Sequence, residues 1–359
     1  MLPWKVYLYY GDLRLLERAY EPMRRYVEFL ESKCTDDILR QNSLGKGQFL
    51  GDWVPPGRGM DKGKWPQTLA CELFNNGYRV YLLEILERSA RALGKAEEAE
   101  KYAAKIEKIR PIIHFEFYDV QKHQYVIDEQ AYQVVPLMTG IVPESLRETV
   151  QQRLEDIIMV KNQGHLDTGM LGTSFLIRYL QEAGRSDLLY TIYNQETYPG
   201  WGYMLSQGAT TFWEQWNGYW SQIHSCFSGA GGWFYQGLAG IRPDPSAPGF
   251  KEIIIKPAIV GDITWVKCHH DSIYGRIVSN WKREGDTLTM DVVIPPNTTA
   301  SVYVPVLCAG KKPAKNDTGV AESGKPVSEA QGVKFVRMEN GAAVYEIGSG
   351  QYCFRSRNR

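Results

Sequence analysis

Residues 209–220, ATTFWEQWNGYW, set one carboxylate, Glu214, between Trp213 and Trp216 and behind the hydroxyls of Thr210 and Thr211. A carboxyl walled by ring faces loses hydration, which raises its pKa, and a carboxylate turned toward a held water can take that water's proton. The same letters also suit a solvated loop acid beside two packing indoles. A second loop at 51–59, GDWVPPGRG, carries Asp52, Trp53 and Arg58. Aspartate can accept two hydroxyls of a ligand, an indole can stack on its apolar face, and the guanidinium can orient the carboxylate. Alone, a Gly-Asp-Trp turn is equally an Asx turn over a packed ring. His224, ten residues beyond Glu214, offers an imidazole to a hydroxyl or to the carboxylate itself. A satisfied histidine at a helix start is the alternative, and His165 and Thr168 in GHLDTG raise the same pair of readings. His269 and His270 fall in a predicted strand and read as surface residues.

Other chemistries lack their marks. There is no GxSxG elbow, no P-loop, no GxGxxG before a helix, no HExxH and no EF-hand pattern. Two carboxylates and aromatic platforms remain, the equipment of glycoside hydrolysis. The 41 basic residues balance 41 acidic ones, so net charge invites no nucleic acid. The 10 Trp and 22 Tyr lie largely in polar, glycine-rich stretches, which suits stacking on sugar rings. Cysteines 34, 71, 226, 268, 308 and 353 lack C-x-x-C spacing, so free thiols are expected, with no metal and no cofactor. No window approaches twenty apolar residues, and the opening MLPWKVYLYYG lacks the basic-then-apolar layout of a signal peptide. No membrane partner is expected and no compartment is assigned.

The elements that position these loops follow from periodicity. Leu16, Tyr20, Met23, Val27 and Leu30 recur at helical spacing between Asp12 and Lys33. So do Val80 to Leu93, Tyr102 to Ile113, Leu146 to Ile157, Leu171 to Tyr179, and the glycine-rich set Ile223, Phe227, Ala230, Phe234. LPWKVYLYYG reads as the end of a helix. Residues 1 to about 242 thus predict eight or nine helices with almost no strand, an array of hairpins or a closed ring of the (α/α)6 type. The long connections 34–65 and 197–221 read as binding loops. Beyond IRPDPSAPGF, short alternating β-branched runs predict an antiparallel β-sandwich. The division expected is 1–243, helical and catalytic, and 244–359, all β.

The string YPGWGYMLSQGATTFWEQWNGYWSQIHSCFSGAGGWFYQGLAGIRPDPSAPGF resembles the signature region of bacterial α-L-rhamnosidases of glycoside hydrolase family 78. LPWKVYLYYGDLRLLERAYEPMRRYVEFL, GDWVPPGRG and HLDTGMLGTSFLIRYLQEAG are similar to that family too. The resemblance implies an (α/α)6 barrel followed by a β-sandwich and inverting cleavage of terminal α-linked L-rhamnose from a glycoside or oligosaccharide. It gives Glu214 the role of general base and places His224 against the rhamnose. Trp53, Trp201, Trp213 and Trp216 are then candidates for the pocket lining, with Asp52 matched by motif.

The family's general acid sits in an Asp-Glu-Arg motif before a Gly-Trp-Thr-Gly-Asp-like segment, and neither occurs in these 359 residues. Three or four helices of the ring are expected to be missing with it. An inverting enzyme needs acid and base about 6.5 to 9.5 Å apart. The expectation is therefore a fragment of low or no activity alone, unless Glu72, Glu129 or Glu196 substitutes, or a partner chain or missing N-terminal segment completes the barrel. A non-catalytic rhamnose-binding or carbohydrate-binding protein of the same fold is the alternative, and related barrels host other glycosidases, phosphorylases and lyases.

Overall fold

A computed structural model describes residues 1–41, 49–57, 67–306 and 319–357. They cluster into two compact units, residues 16–230 with Met1, and residues 2–15 with 231–359. The described helices are α1 (Leu2–Tyr10), α2 (Leu13–Glu31), α3 (Thr68–Ala92), α4 (Ala96–Phe117), α5 (Gln130–Met138), α6 (Glu144–Asp156), α7 (Met170–Glu182), α8 (Ser186–Tyr193), α9 (Trp201–Ser206) and α10 (Ala230–Trp233). None is long and apolar enough to cross a membrane.

In the first unit, α3 and α4, α5 and α6, and α7 and α8 form sequence-adjacent packed pairs. The first member of each pair lies inward. Residues of α5 from Gln130 to Leu137 are all buried, and α3 and α7 bury most of their length, whereas α6 buries only Val150 and Leu154. Inner helices pack on one another, α3 on α5 and α5 on α7, which is the layering of an α/α barrel. Gly77 makes the α3–α5 approach close: a Cβ there would stand 2.2 Å from Val135 Cγ1. The amphipathic α2 buries Leu16, Tyr20, Val27 and Leu30, and its outer face is laced by Glu21 with Arg24 and Arg25. Arg79 of α3 is fully buried and bonds Glu31 Oε1 at 2.6 Å, the Asp37 carbonyl and Asn76 Oδ1. Asn76 in turn clasps both backbone groups of Leu39.

In the second unit, strands β1 (Ile241–Pro243), β2 (Glu252–Ile255), β3 (Trp265–Ser272), β4 (Gly275–Glu284), β5 (Thr287–Ile294), β6 (Thr299–Pro305), β7 (Val320–Glu322), β8 (Lys325–Pro326), β9 (Val333–Glu339), β10 (Ala342–Ile347) and β11 (Gly350–Arg357) form two sheets. Their orders are β9-β10-β6-β2-β1 and β8-β7-β11-β5-β4-β3. All neighbours run antiparallel except β2 and β6. Alternation sends Leu288, Met290, Val292 and Ile294 inward with Trp281, Val302, Tyr345 and Phe354 to make one core. Helix α1 joins this unit, with the Tyr9 ring edge-on to Phe250 at 5.6 Å. The helical set expected from Ile223 is helical only from Ala230, with turns over the preceding residues. Gly229, immediately before that start, carries the largest conformational-entropy cost of ordering of any residue type, which disfavours extending the helix backward.

Candidate active site

Every described residue of the two long loops that could do chemistry lies in the helical unit. The Glu214 loop is a hairpin without strand classification. The N–H of Glu214 donates to the Ser221 carbonyl at 2.8 Å, that of His224 to Phe212 at 2.9 Å, and Gly218 closes the tip onto Gln215 at 3.0 Å. Gly218, at φ 77°, lies against Trp213, where any Cβ would meet the indole at 3.0 Å. This pairing sets Glu214 on one arm and His224 on the other. Glu214 is half-buried and His224 exposed, so both keep access to a ligand.

The tryptophans divide by task. Trp201, Trp213 and Trp216 are buried, at 8%, 6% and 1% exposure, so they lie beneath the loop instead of offering open faces. Trp216 stacks on Phe227 with centroids 3.8 Å apart, Trp201 meets Trp216 edge-on at 5.3 Å, and Tyr193 stacks on Trp201 at 4.7 Å. Two indole N–H groups donate to main chain, that of Trp216 to Thr168 at 2.8 Å and that of Trp201 to Phe227 at 3.2 Å. Such a stack orients the hairpin rigidly. Trp53 alone of the four matched tryptophans is only partly buried.

Asp52 is 1% exposed and faces the first turn of α7. Its oxygens accept the N–H groups of Gly169 and Gly172, both at 2.7 Å, while Met170 N–H donates to the Trp53 carbonyl at 2.9 Å. The turn therefore caps a helix more than a hundred residues away and satisfies donors that a helix N-terminus leaves orphaned. Contact is tight enough to require glycine at both positions: a Cβ would stand 2.0 Å from the Trp53 carbonyl oxygen at 169, and 2.2 Å from Asp52 Oδ2 at 172. Burial pushes the Asp52 carboxyl up to about 7, against the opposing pull of the two amides. Arg58 lies outside the described residues.

The same turn of α7 touches the second loop. Thr168 receives Trp216, and Met170 Sδ lies 3.6 Å from Cys226 Sγ. Cys226 was legible only as a free thiol, yet its sulfur sits 2.6 Å from His224 Nδ1. Burial, helped by the nearby Glu214 carboxylate, pushes this thiol up to about 11. The H-x-C spacing of His224 and Cys226 was the available signal. Neighbouring polar residues pin the rim: Asp167 accepts from Gln130 N–H and Asn162, and His165 Nε2 pairs with the Thr197 hydroxyl at 2.7 Å.

The three acids considered as proton donors have separate surroundings. Glu72 is buried and held by Arg40 and the Gln41 N–H; Glu129 is half-buried at the start of α5; Glu196 is exposed. His270 of β3 packs on Phe250 in the other unit, and His269 is exposed. A cavity of about 300 Å³ lined by Tyr20, Arg24, Lys95 and Glu98 among others includes none of the loop residues, and its polar walls are paired with each other. Among the described residues, no group of three or more His, Cys, Asp or Glu is placed to hold a metal ion.

Comparison with known proteins agrees with this architecture. The family described as bacterial alpha-L-rhamnosidase 6 hairpin glycosidase domain matches residues 1–238, and the bacterial alpha-L-rhamnosidase C-terminal domain matches 240–318. An alpha-L-rhamnosidase of Formosa agariphila is 31% identical over 85% of this chain and 33% of its own length. One of Streptomyces avermitilis is 29% identical over 98% of this chain and 32% of its own. The solved alpha-L-rhamnosidase of Dictyoglumus thermophilum superposes with a TM-score of 0.84 at 29% identity, covering 99% of this chain and 39% of that one. The Streptomyces avermitilis enzyme complexed with L-rhamnose gives 0.83 at 26%, covering 99% and 32%. The chain thus spans about a third of the length of the curated relatives it matches. With both of its units matched in order, the helical hairpins and then the β-sandwich, this chain belongs to the bacterial α-L-rhamnosidase family.

Proposed function

We propose that the chain carries the general-base half of an inverting α-L-rhamnosidase site that releases terminal α-L-rhamnose from glycosides or polysaccharides. The observation that carries this reading is the hairpin that offers Glu214 and His224 to solvent on facing arms while its tryptophans are locked underneath. Glu214 takes the proton of a water that attacks the anomeric carbon from the face opposite the leaving group, and the glycosidic bond breaks with its electron pair going to the leaving oxygen. His224 hydrogen-bonds a rhamnose hydroxyl, and Trp53 presents an indole to the ring's apolar face. Trp201, Trp213 and Trp216 act as the bed of the loop, and Asp52 fixes the turn that carries Trp53. The catalytic division at 1–243 and 244–359 is retained as part of this reading.

The leaving oxygen also needs a proton. The Asp-Glu-Arg motif that supplies it in the family is absent from these 359 residues, so only the base is asked of this chain. A partner chain or additional segment that completes the ring would bring the acid. The test exploits leaving-group chemistry: dinitrophenolate leaves its rhamnoside without protonation, whereas the alkoxide of an alkyl rhamnoside does not. This chain should hydrolyse the first and leave the second nearly untouched, and Glu214→Gln should lower dinitrophenyl release by about 10² to 10⁴. An unchanged rate in that variant would remove Glu214 as the base.

A further inference from the structure

The thiol between His224 and Met170 has no part in the reaction scheme above, yet its geometry constrains the imidazole. Cys226 is half-buried, and its sulfur lies 2.6 Å from Nδ1 but 3.9 Å from Nε2 of His224. One ring nitrogen is therefore engaged within the protein, on a side chain that is otherwise exposed. A neutral imidazole has one donor and one acceptor nitrogen, so whichever proton arrangement holds at Nδ1 dictates what Nε2 can do.

For the neutral ring, two arrangements fit the contacts. In the first, the thiol donates to Nδ1 and the ring proton sits on Nε2. In the second, Nδ1–H donates to the sulfur and the thiol proton turns to Met170 Sδ at 3.6 Å. A thioether is a weak acceptor and an imidazole nitrogen a good one. The second arrangement spends the single S–H on its poorer partner. Burial together with the Glu214 carboxylate keeps the sulfur protonated at neutral pH, so the donor required by the first arrangement is present. The seat is also rigid: Met170 opens α7 and is tied through its N–H to Trp53, and Cys226 immediately precedes Phe227 of the buried stack.

We propose that Cys226 is a positioning residue whose thiol donates to Nδ1 of His224, holding the imidazole protonated at Nε2, so that His224 meets bound sugar as a hydrogen-bond donor. The sugar-facing part rests on the rhamnosidase reading; the thiol–imidazole pair does not. Its consequence is a preference for a ligand oxygen free to accept at that point, such as a hydroxyl whose own proton is directed elsewhere.

Long-range ¹H–¹⁵N spectra of the full chain labelled on histidine report the tautomer without any turnover. The chain has 6 His, and His224→Gln assigns the signal. The expected result is a pyridine-type Nδ1 and a pyrrole-type Nε2 for His224, with Cys226→Ala moving Nδ1 toward the solvent-averaged value and Cys226→Ser, which keeps a donor, restoring it. A pyrrole-type Nδ1 in the unaltered protein, or a spectrum indifferent to Cys226→Ala, overturns the proposal. If Cys226→Ala loses signal dispersion through misfolding, the Cys226→Ser comparison decides. Adding L-rhamnose should then shift the Nε2 resonance. The expected tautomer with no response to rhamnose overturns the donor role toward sugar while leaving the thiol pair in place, which separates the two failures.

Discussion

Replacing Asp52 by asparagine is the most informative change outside the chemistry, because one side chain caps α7 and titrates while doing so. The wild-type carboxyl accepts two backbone N–H groups at 2.7 Å. Asparagine keeps one acceptor oxygen and turns an NH₂ toward the other amide, so one buried donor loses its partner, at about 1–3 kcal/mol. The second effect depends on pH. Burial holds the folded carboxyl at about 7, against roughly 3.9 in an unfolded chain. A folded pKa raised above the unfolded one means that the native state binds the proton more tightly. The associated stability is complete below about pH 4 and is lost as pH rises through about 7. Integrating linkage between pH 5 and 8 gives a loss of roughly 2.5–3 kcal/mol from this one group, and asparagine loses none of it. Asp52→Asn should therefore be less stable than wild type near pH 4, and the gap should shrink with rising pH and invert by pH 8. Urea unfolding of both proteins at several pH values, followed by helical circular dichroism, measures the difference while other titrations cancel. A gap that stays constant with pH, or widens as pH rises, would refute the assignment of a proton to this buried carboxyl.

Other outcomes follow from the same geometry. Gly172→Ala would drive a methyl to within 2.2 Å of Asp52 Oδ2 and 2.8 Å of Ala131 Cβ, so a large drop in thermal midpoint and poor soluble yield are expected, whereas Gly184→Ala meets nothing within 4 Å and tests only its positive φ. Trp216→Phe keeps a ring on Phe227 but orphans the Thr168 carbonyl, costing about 1–3 kcal/mol in denaturant unfolding; Trp216→Ala should cost about 3–5 kcal/mol. Arg79→Ala strips the buried partner from Glu31, Asp37 and Asn76, and about 3–5 kcal/mol of stability should go with it. A measured loss under 1 kcal/mol for Arg79→Ala would show the network to be replaceable by water.

What could be read from the letters was what repeats locally. Helix α2 shows one buried stripe on a charged cylinder, and β5 alternates strictly, so each betrays its partner surface through spacing alone. Helix α5 could not be read this way. Wedged between α3 and α7 and buried from Gln130 to Leu137, it has no polar face to set against an apolar one, and Pro136 lies within it. The site divides likewise. Glu214 and His224 stand out because a carboxylate and an imidazole ten residues apart among tryptophans are chemically unusual. The burial of Trp216 was not legible, since its acceptor at Thr168 lies 48 residues earlier. Asp52 looked like a ligand for hydroxyls because the amides it binds are 117 and 120 residues away in sequence. Cys226 was judged by the spacing of cysteines to one another, a test blind to a histidine two residues off.

The first turn of α7 has a consequence for how the site comes into being. It receives the Asp52 turn from one direction in sequence and Trp216 from the other, so neither loop has a local reason to adopt its working shape. Closing contacts over more than a hundred residues is entropically costly and slow compared with winding the helices they join. The hairpins between the two loops must be docked before Gly169 and Gly172 can meet their carboxylate. The order of events is therefore scaffold first and loop surface last, and a chain trapped short of that final docking would carry native helix content while Glu214 had nowhere fixed to point.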